Sequence, residues 1–421
     1  MKKLLVLGAG TAGTVIANKM RRNLDESEWE INIIDKRSVH YYQPGFIFIP
    51  FRLFGYDGEK GNSLPIEKFI PKGVNYIQAD ILAIDSEKKE VKTSAGKHSY
   101  DYLVIALGCD IHPEEIEGME EGYGKNVFYF YTMQSAVDLQ KAMLNFKKGK
   151  IVIDIAENPI KCPVAPIEFA SLTDYFFHLK GIRDQVEIEV VTNMQGVFTK
   201  PIAREIFTQM FRQKGIKVKT DFQIASVDHV KKKITSYKNE EVSYDLLVAI
   251  PPNLGADLVD ESGLGNGAGY VATDQGSLKS TKDPYIYALG DITSVTTSKA
   301  GSVAHFEASV VEANLMREIN GKDPSESFDG HSLCYVETGF KKAHLVDFNY
   351  VYEPVHGHLP VPGLGPFSLL KETRMNHWGK LFFRWYYWNI LLKDRFTPVM
   401  DFILPAKMSL YGKDKKLLNI K

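Results

Sequence analysis

The chain has 421 residues, with 51 Lys and Arg against 52 Asp and Glu and a formal net charge of -1. That length gives room for two or three domains with substantial cores, and the charge balance offers nothing for nucleic acid. No apolar run reaches the ~18 residues a membrane-spanning helix needs, so any membrane contact is expected to be peripheral.

Residues 3–7, KLLVL, read as a buried strand. Gly8-Ala9-Gly10-Thr11-Ala12-Gly13 follows, then the helical TVIANKMRR and a second strand, INIID, that ends at Asp35. Strand, glycine turn, helix, strand and terminal acid form the full context of a dinucleotide fingerprint. Gly8 makes the turn, Gly10 admits a pyrophosphate, and Gly13 lets the helix pack closely on the strand. Asp35 is placed to accept hydrogen bonds from ribose hydroxyls. The apolar start is too short for a signal peptide and runs straight into this turn, so no signal peptide is expected.

A second strand-turn-helix pattern, KIVIDIAENPIKCPVAPIEFA, spans residues 150–170. Its turn has no glycines, and Ala156, Glu157, Asn158 and Pro159 do not permit close approach of a pyrophosphate. Glu157 also brings negative charge towards a phosphate position. One dinucleotide site is therefore kept and the other lost, with Cys162 in its stead. Pro163 suits the first turn of a helix, and IEFASLTDYFFHL continues as a helical pattern. A thiol at a helix N-terminus has a lowered pKa, and Lys161 adds positive charge; the alternative is an inert buried cysteine. Glu168 is either a proton-transfer group or a first-turn acid that complements the helix dipole. The three cysteines, Cys109, Cys162 and Cys334, form no disulfide framework and lack metal-ligand spacing, so no metal is expected. Cys109 reads as a small core residue.

Further on, Ser298-Lys299-Ala300-Gly301 precedes the helical VAHFEASVVEANLMREI. The segment 377–392, HWGKLFFRWYYWNILL, is densely aromatic. At a regular helical period Lys380 and Arg384 share a face while Asn389 and Lys393 fall nearly opposite, so the pattern is not cleanly amphipathic. Aromatic residues flanked by Lys and Arg suit a membrane interface, and they also suit a dimer contact or a core. The apolar PGFIFIPFRLFGY of residues 44–56 either joins that surface or lines a cofactor pocket.

Two further motifs carry a family likeness. Tyr100 to Gly108, YDYLVIALG, resembles the strand-and-glycine return to the flavin domain of pyridine-nucleotide-disulfide-reductase-like flavoproteins. Tyr287-Ala288-Leu289-Gly290-Asp291 resembles their second FAD motif. The resemblance implies FAD as cofactor, with Gly108 and Gly290 close to it and Asp291 on a ribityl hydroxyl. It also implies that the helix after Gly301 points its positive end at the flavin pyrimidine, with Lys299 either adding charge there or solvated.

Within that group the chain resembles the sulfide:quinone oxidoreductase and flavocytochrome c sulfide dehydrogenase branch. There a cysteine replaces the second glycine fingerprint, as Cys162 does in KCPVAPIEFA, and a second lies far downstream, as Cys334 does in SLCYVETG. The resemblance implies that Cys162 and Cys334 form the redox bridge, that Glu168 is the catalytic acid, and that Lys380 and Phe383 form the quinone site. The branch's third cysteine, in a stretch resembling residues 131–136, is missing here, which argues against a three-cysteine mechanism and against a covalent flavin link through it.

The expected fold is α/β, with two Rossmann-like dinucleotide-binding-type domains and a C-terminal membrane-contact segment. Residues 1–116 and 269–320 form the FAD-binding domain, 117–268 a second Rossmann-like domain without a nicotinamide fingerprint, and 321–421 the C-terminal domain. The expected enzyme is a monotopic, membrane-associated flavoprotein that passes electrons from hydrogen sulfide through the cysteine pair and FAD to quinone. A homo-oligomer is compatible with it. The alternatives are a cytochrome-linked sulfide dehydrogenase, a type II NADH:quinone oxidoreductase, which the lost glycines disfavour, and a non-catalytic FAD-bound module.

Overall fold

The computed structural model describes residues 1–360 and 364–395. Residues 396–421 of the expected C-terminal domain lie outside the described residues. Two parallel five-stranded sheets organise the chain. The first has the order Ile286–Ala288, Tyr102–Ile105, Lys2–Leu7, Trp29–Asp35, Val74–Gln78. The second has the order Val127–Phe128, Leu246–Ile250, Gly149–Ile155, Val186–Thr192, Lys217–Lys219. Their central strands are buried on both faces, which is why they read as unbroken apolar runs such as LLVL and LLVAI. This is the doubly wound α/β arrangement, in which ligands bind beyond the carboxyl ends of the strands.

Two packing events position the site. The strand Ile286–Ala288 returns beside Tyr102–Ile105, pairing Tyr287 with Val104, so the Gly290 turn lies next to the Gly8 turn. An antiparallel hairpin, Ser332–Gly339 with Lys342–Phe348, then packs on the helix Ala165–Leu179. That contact brings Cys334 to the region of Cys162, although 172 residues separate them (334 - 162). The helix Arg374–Tyr386 covers the hairpin.

The segment after that helix is part of the core. Tyr386, Tyr387, Trp388, Leu391 and Leu392 are buried. The Tyr387 hydroxyl lies 2.7 Å from Thr11 Oγ1 and 2.7 Å from His40 Nε2. Asn18 donates to the Leu392 carbonyl at 3.1 Å, and Lys19 lies 3.3 Å from Asp394. The aromatic segment is therefore tied to the helix that opens at the first glycine turn. Among the described residues no helix is long and apolar enough to cross a membrane.

Candidate functional site

The first glycine turn is shaped for a pyrophosphate. Gly8 has φ +96°, and a Cβ there would sit 2.4 Å from the Ala106 carbonyl oxygen. A Cβ on Gly13 would sit 1.8 Å from the Gly8 oxygen, so only glycine lets helix and strand approach this closely. At Gly10 a Cβ would meet nothing within 4 Å, and the residue lines an open cavity of ≈ 310 Å³. No side chain caps the helix Thr11–Asn23, which leaves its first N–H groups to a ligand. Asp35 Oδ2 accepts from the Ala9 N–H at 2.8 Å, and Oδ1 accepts from the Arg37 N–H at 2.9 Å. Arg37, which sequence reasoning missed, reaches the cavity wall.

Gly108, Gly290, Asp291, Lys299 and Gly301 line the same cavity. Burial pushes the Asp291 carboxyl upward, against the opposing pull of the Lys299 and Lys161 ammonium groups. Lys299 is neither solvated nor aimed into open space. Its ammonium donates to the carbonyls of Asp291 and Thr293, each at 2.8 Å, and lies 4.0 Å from the Tyr270 ring centre. It clips the loop that carries Asp291. Gly301 starts the helix Gly301–Ile319, whose N-terminus has no side-chain cap. An open Gly10, two uncapped helix N-termini and Gly290 at the cavity wall together fit FAD, and those residues would hold it.

Cys162 and Cys334 line the same cavity. The local geometry of Cys162 differs from the sequence expectation. The helix begins at Ala165, with Pro166 rather than Pro163 in its first turn. Cys162 itself has φ +51°, a left-handed conformation that costs of order 1 kcal/mol in a non-glycine residue. It is held there because its N–H donates to the Lys299 carbonyl at 2.6 Å, while its own carbonyl accepts from Ala165 at 2.8 Å. Nor is its thiol acidified. Burial raises its pKa, the Cys334 and Glu168 charges add to that, and only Lys380 and the Ala165 N–H oppose it. Lys161 points elsewhere, donating to the Cys109 carbonyl at 3.0 Å.

Burial also raises the Cys334 thiol, opposed by Ser332, Lys380 and Ser302. Ser332 Oγ lies 3.7 Å from Cys334 Sγ. Cys109 is buried outside the cavity lining, with its thiol pushed up to about 12, chiefly by burial.

Glu168 and Lys380 meet across the cavity wall. Lys380 Nζ lies 3.0 Å from one Glu168 oxygen and donates to the other at 3.2 Å. Burial works against the Lys380 ammonium, but Glu168 and Cys162 outweigh it and the net shift is upward. Burial raises the Glu168 carboxyl to about 7, with Lys380 opposing. Phe383 lines the cavity beside them. A buried acid poised near neutrality is suited to accepting and returning protons at physiological pH.

The helix Arg374–Tyr386 is amphipathic after all, and turned inside out. Met375, Trp378, Phe382 and Trp385, which fall on one stripe, are 47%, 61%, 49% and 53% exposed. Asn376, His377 and Lys380 are buried on the opposite face. The helix widens into a π-turn at Tyr387–Leu391, which shifts the phase of the residues after it away from the regular period. Residues 44–47 line the cavity, with the exception of Gly45. Sequence reasoning also missed Glu337, buried on the hairpin and 2.8 Å from His377 Nδ1. The i, i+3 spacing of His377 and Lys380 was the available signal.

The family model for pyridine nucleotide-disulphide oxidoreductases matches residues 2–154 and 164–312. The match stops short of the Cys162 turn and resumes just after it. The mitochondrial sulfide:quinone oxidoreductase of Mus musculus is 25% identical over 403 residues, covering 93% of this chain and 86% of the relative. That of Dictyostelium discoideum is 27% identical over 416 residues, covering 96% and 89%. The crystal structure of the sulfide:quinone oxidoreductase from Aquifex aeolicus is similar in fold, with a TM-score of 0.77, 20% identity and 92% of each chain covered.

Proposed function

The chain belongs to the pyridine nucleotide-disulphide oxidoreductase family, a family of FAD-binding oxidoreductases, and from that premise we propose that it oxidises sulfide and passes the electrons to a membrane quinone. The observation that carries this reading is one cavity lined together by Cys162 and Cys334, by the glycine turns, and by Glu168 paired with Lys380. The sulfide:quinone oxidoreductase relatives, which span nearly the whole chain, support it.

In the oxidised pair, hydrosulfide adds to one sulfur of a Cys162–Cys334 bridge. The S–S bond breaks, one cysteine becomes a persulfide, and the other leaves as a thiolate. Glu168, its carboxyl near 7, takes the proton of the hydrosulfide. FAD supplies a two-electron acceptor when bound. Lys380 donates a proton to the quinone oxygen, and Phe383 packs against the quinone head. Sulfur leaves as a polysulfide. The exposed stripe of Met375, Trp378, Phe382 and Trp385 rests in the membrane interface, where aromatic rings partition well. Phe382 belongs to both the stripe and the cavity wall, so a lipid-borne quinone has a short path inward.

The test is an anaerobic titration of the yellow holoprotein. Sulfide should bleach the flavin, decylubiquinone should restore the colour, and NADH should do nothing. Cys162→Ala and Cys334→Ala should each reduce sulfide-dependent quinone reduction to background with FAD retained, while Cys109→Ala keeps activity. Rapid bleaching by NADH with sulfide inert would overturn the reading.

A further inference from the structure

Behind the Glu168–Lys380 wall lies a buried acid-imidazole pair that the reaction above does not use. Glu337 is 0% exposed and His377 3% exposed, and Glu337 Oε2 lies 2.8 Å from His377 Nδ1. No side chain pairs with the second oxygen of Glu337, and the Gly339 N–H also acts on this carboxylate. Neither residue lines the cavity. Removing an acid and an imidazole from water costs more than an apolar pair of the same size, so fold stability alone is a weak reason for them to be there. Their surroundings are ordered. On one side Lys380, one turn after His377, feels the Glu337 charge. Glu168, from the helix Ala165–Leu179, faces Lys380 and Glu337 together. The carbonyl of Tyr335 accepts from Lys380 at 3.4 Å. On the other side His377 packs edge-on against Phe54 at 5.2 Å and against Trp378 at 5.6 Å, and Trp378 belongs to the exposed stripe.

The proposed reaction sets a demand that this array meets. Hydrosulfide plus quinone plus one proton gives zero-valent sulfur, carried in the polysulfide, and quinol. The sulfur loses two electrons and the quinone gains them. One of the two quinol protons comes from the hydrosulfide and is held at Glu168. The other must enter from outside the cavity in each turnover, and Lys380 must be recharged after each donation.

We propose that Glu337 and His377 form the route by which this external proton reaches Lys380. His377 takes up a proton at the aromatic face and passes it from Nδ1 to Glu337. Glu337, near enough for its charge to act on Lys380 but not hydrogen-bonded to it, then passes the proton on to Lys380 by way of a bridging water. Both residues act through Lys380 and touch neither sulfide nor quinone, so they are positioning and relay residues rather than catalytic ones.

This proposal rests on the quinone half of the function proposed above, and its test separates the two. The holoprotein is reduced with dithionite, without sulfide, and mixed with decylubiquinone in a stopped-flow instrument. His377→Gln keeps an N–H that can donate to Glu337 but carries no proton between pH limits. Its flavin should reoxidise roughly tenfold or more slowly near about pH 8, with the deficit shrinking towards about pH 6 as solvent protons substitute. His377→Ala should show the same deficit and recover with added imidazole. Glu337→Gln should slow reoxidation without recovery. Reoxidation of His377→Gln at the wild-type rate throughout would overturn the proposal. So would a deficit in His377→Ala that neither imidazole nor pH relieves, which is the mark of a purely structural clamp. Failure of the wild type to be reduced by sulfide defeats the sulfide reading alone. Failure of the reduced wild type to react with decylubiquinone defeats the quinone reading and this route with it.

Discussion

The two parallel sheets carry equivalent turns, and the contrast between them explains the site. At residues 8–13 the turn is open, with free space at Gly10 and no room for a side chain on Gly8 or Gly13. At residues 156–162 the equivalent backbone donors are occupied by the protein itself. The Lys161 N–H donates to Asn253 Oδ1 at 3.0 Å, and the Cys162 N–H donates to the Lys299 carbonyl at 2.6 Å. A phosphate there would find no free N–H groups on these two residues. The second turn has thus become a strut between the units, and the strut delivers a thiol to the cavity served by the first. A Rossmann turn binds a dinucleotide only while the amides at its helix start are unpaired and its glycines leave space.

Four substitutions sharpen this contrast. The largest effect is expected at the open turn. Gly13→Val places its Cβ 1.8 Å from the Gly8 oxygen, so helix and strand must separate. The purified protein should lack FAD, read as loss of visible flavin absorbance, and should show no sulfide-dependent turnover. The matching change at the filled turn, Glu157→Gly, should leave NADH unable to reduce the flavin. NADH oxidation by that variant would show that charge alone had closed the second turn.

Next is Glu168→Gln. The carboxyl is raised to about 7, so it becomes a proton acceptor as pH rises through that value. Sulfide-dependent flavin reduction in the wild type should therefore climb between about pH 6 and 8 and level off above, a limb the variant should lose. General-base contributions of this kind are typically about 100-fold or more. An unchanged pH profile in the variant would assign the proton to another group.

The smallest effect on turnover is expected outside the cavity, where the readout is stability. Two residues before the filled turn stands Asp154, fully buried with both oxygens unpartnered, where the open unit has the apolar Val6. Burial raises its carboxyl from the usual 3.8 to about 8. A group raised in the folded state binds its proton more tightly there than in the unfolded chain. Its contribution is intact below the ordinary carboxylate value and is lost as pH rises to about 8, by up to about 1.4 kcal/mol per pH unit. Asp154→Asn should raise the urea midpoint near about pH 8 and bring little gain near about pH 4. Equal midpoints at both values would mean that Asp154 is ionised and solvated in the folded protein.

The aromatic segment shows why chain order alone misleads. In chain order its residues suit a membrane interface, a dimer contact or a core. In the fold, Tyr387 is hydrogen-bonded to Thr11 and His40, and Asn18 holds the Leu392 carbonyl. Burial of Tyr387, Trp388, Leu391 and Leu392 stabilises the FAD unit by roughly 1.5–3 kcal/mol for each large side chain. Truncation before Trp378 should therefore destabilise FAD binding as well as the quinone end. Replacing only the exposed Trp378 and Trp385, which do not line the cavity, by serine is the cleaner probe of membrane contact.

By itself the sequence determined the two α/β units, the open dinucleotide turn and the loss of the second, because those rest on local patterns. Apolar runs make buried strands, glycines make tight turns, and a missing glycine is visible without any partner. The family resemblance pointed to Cys162, Cys334, Glu168, Lys380 and Phe383 individually. Only the tertiary structure decided what they do to one another. Lys380 is paired with Glu168, 212 residues away. The Cys162 thiol is raised by burial rather than lowered by a helix end, and Lys161 serves Cys109. Glu337 and His377 had no motif at all. Desolvation and charge pairing depend on which surfaces close over a group, and that is set by the hairpin and the C-terminal helix folding back across the chain.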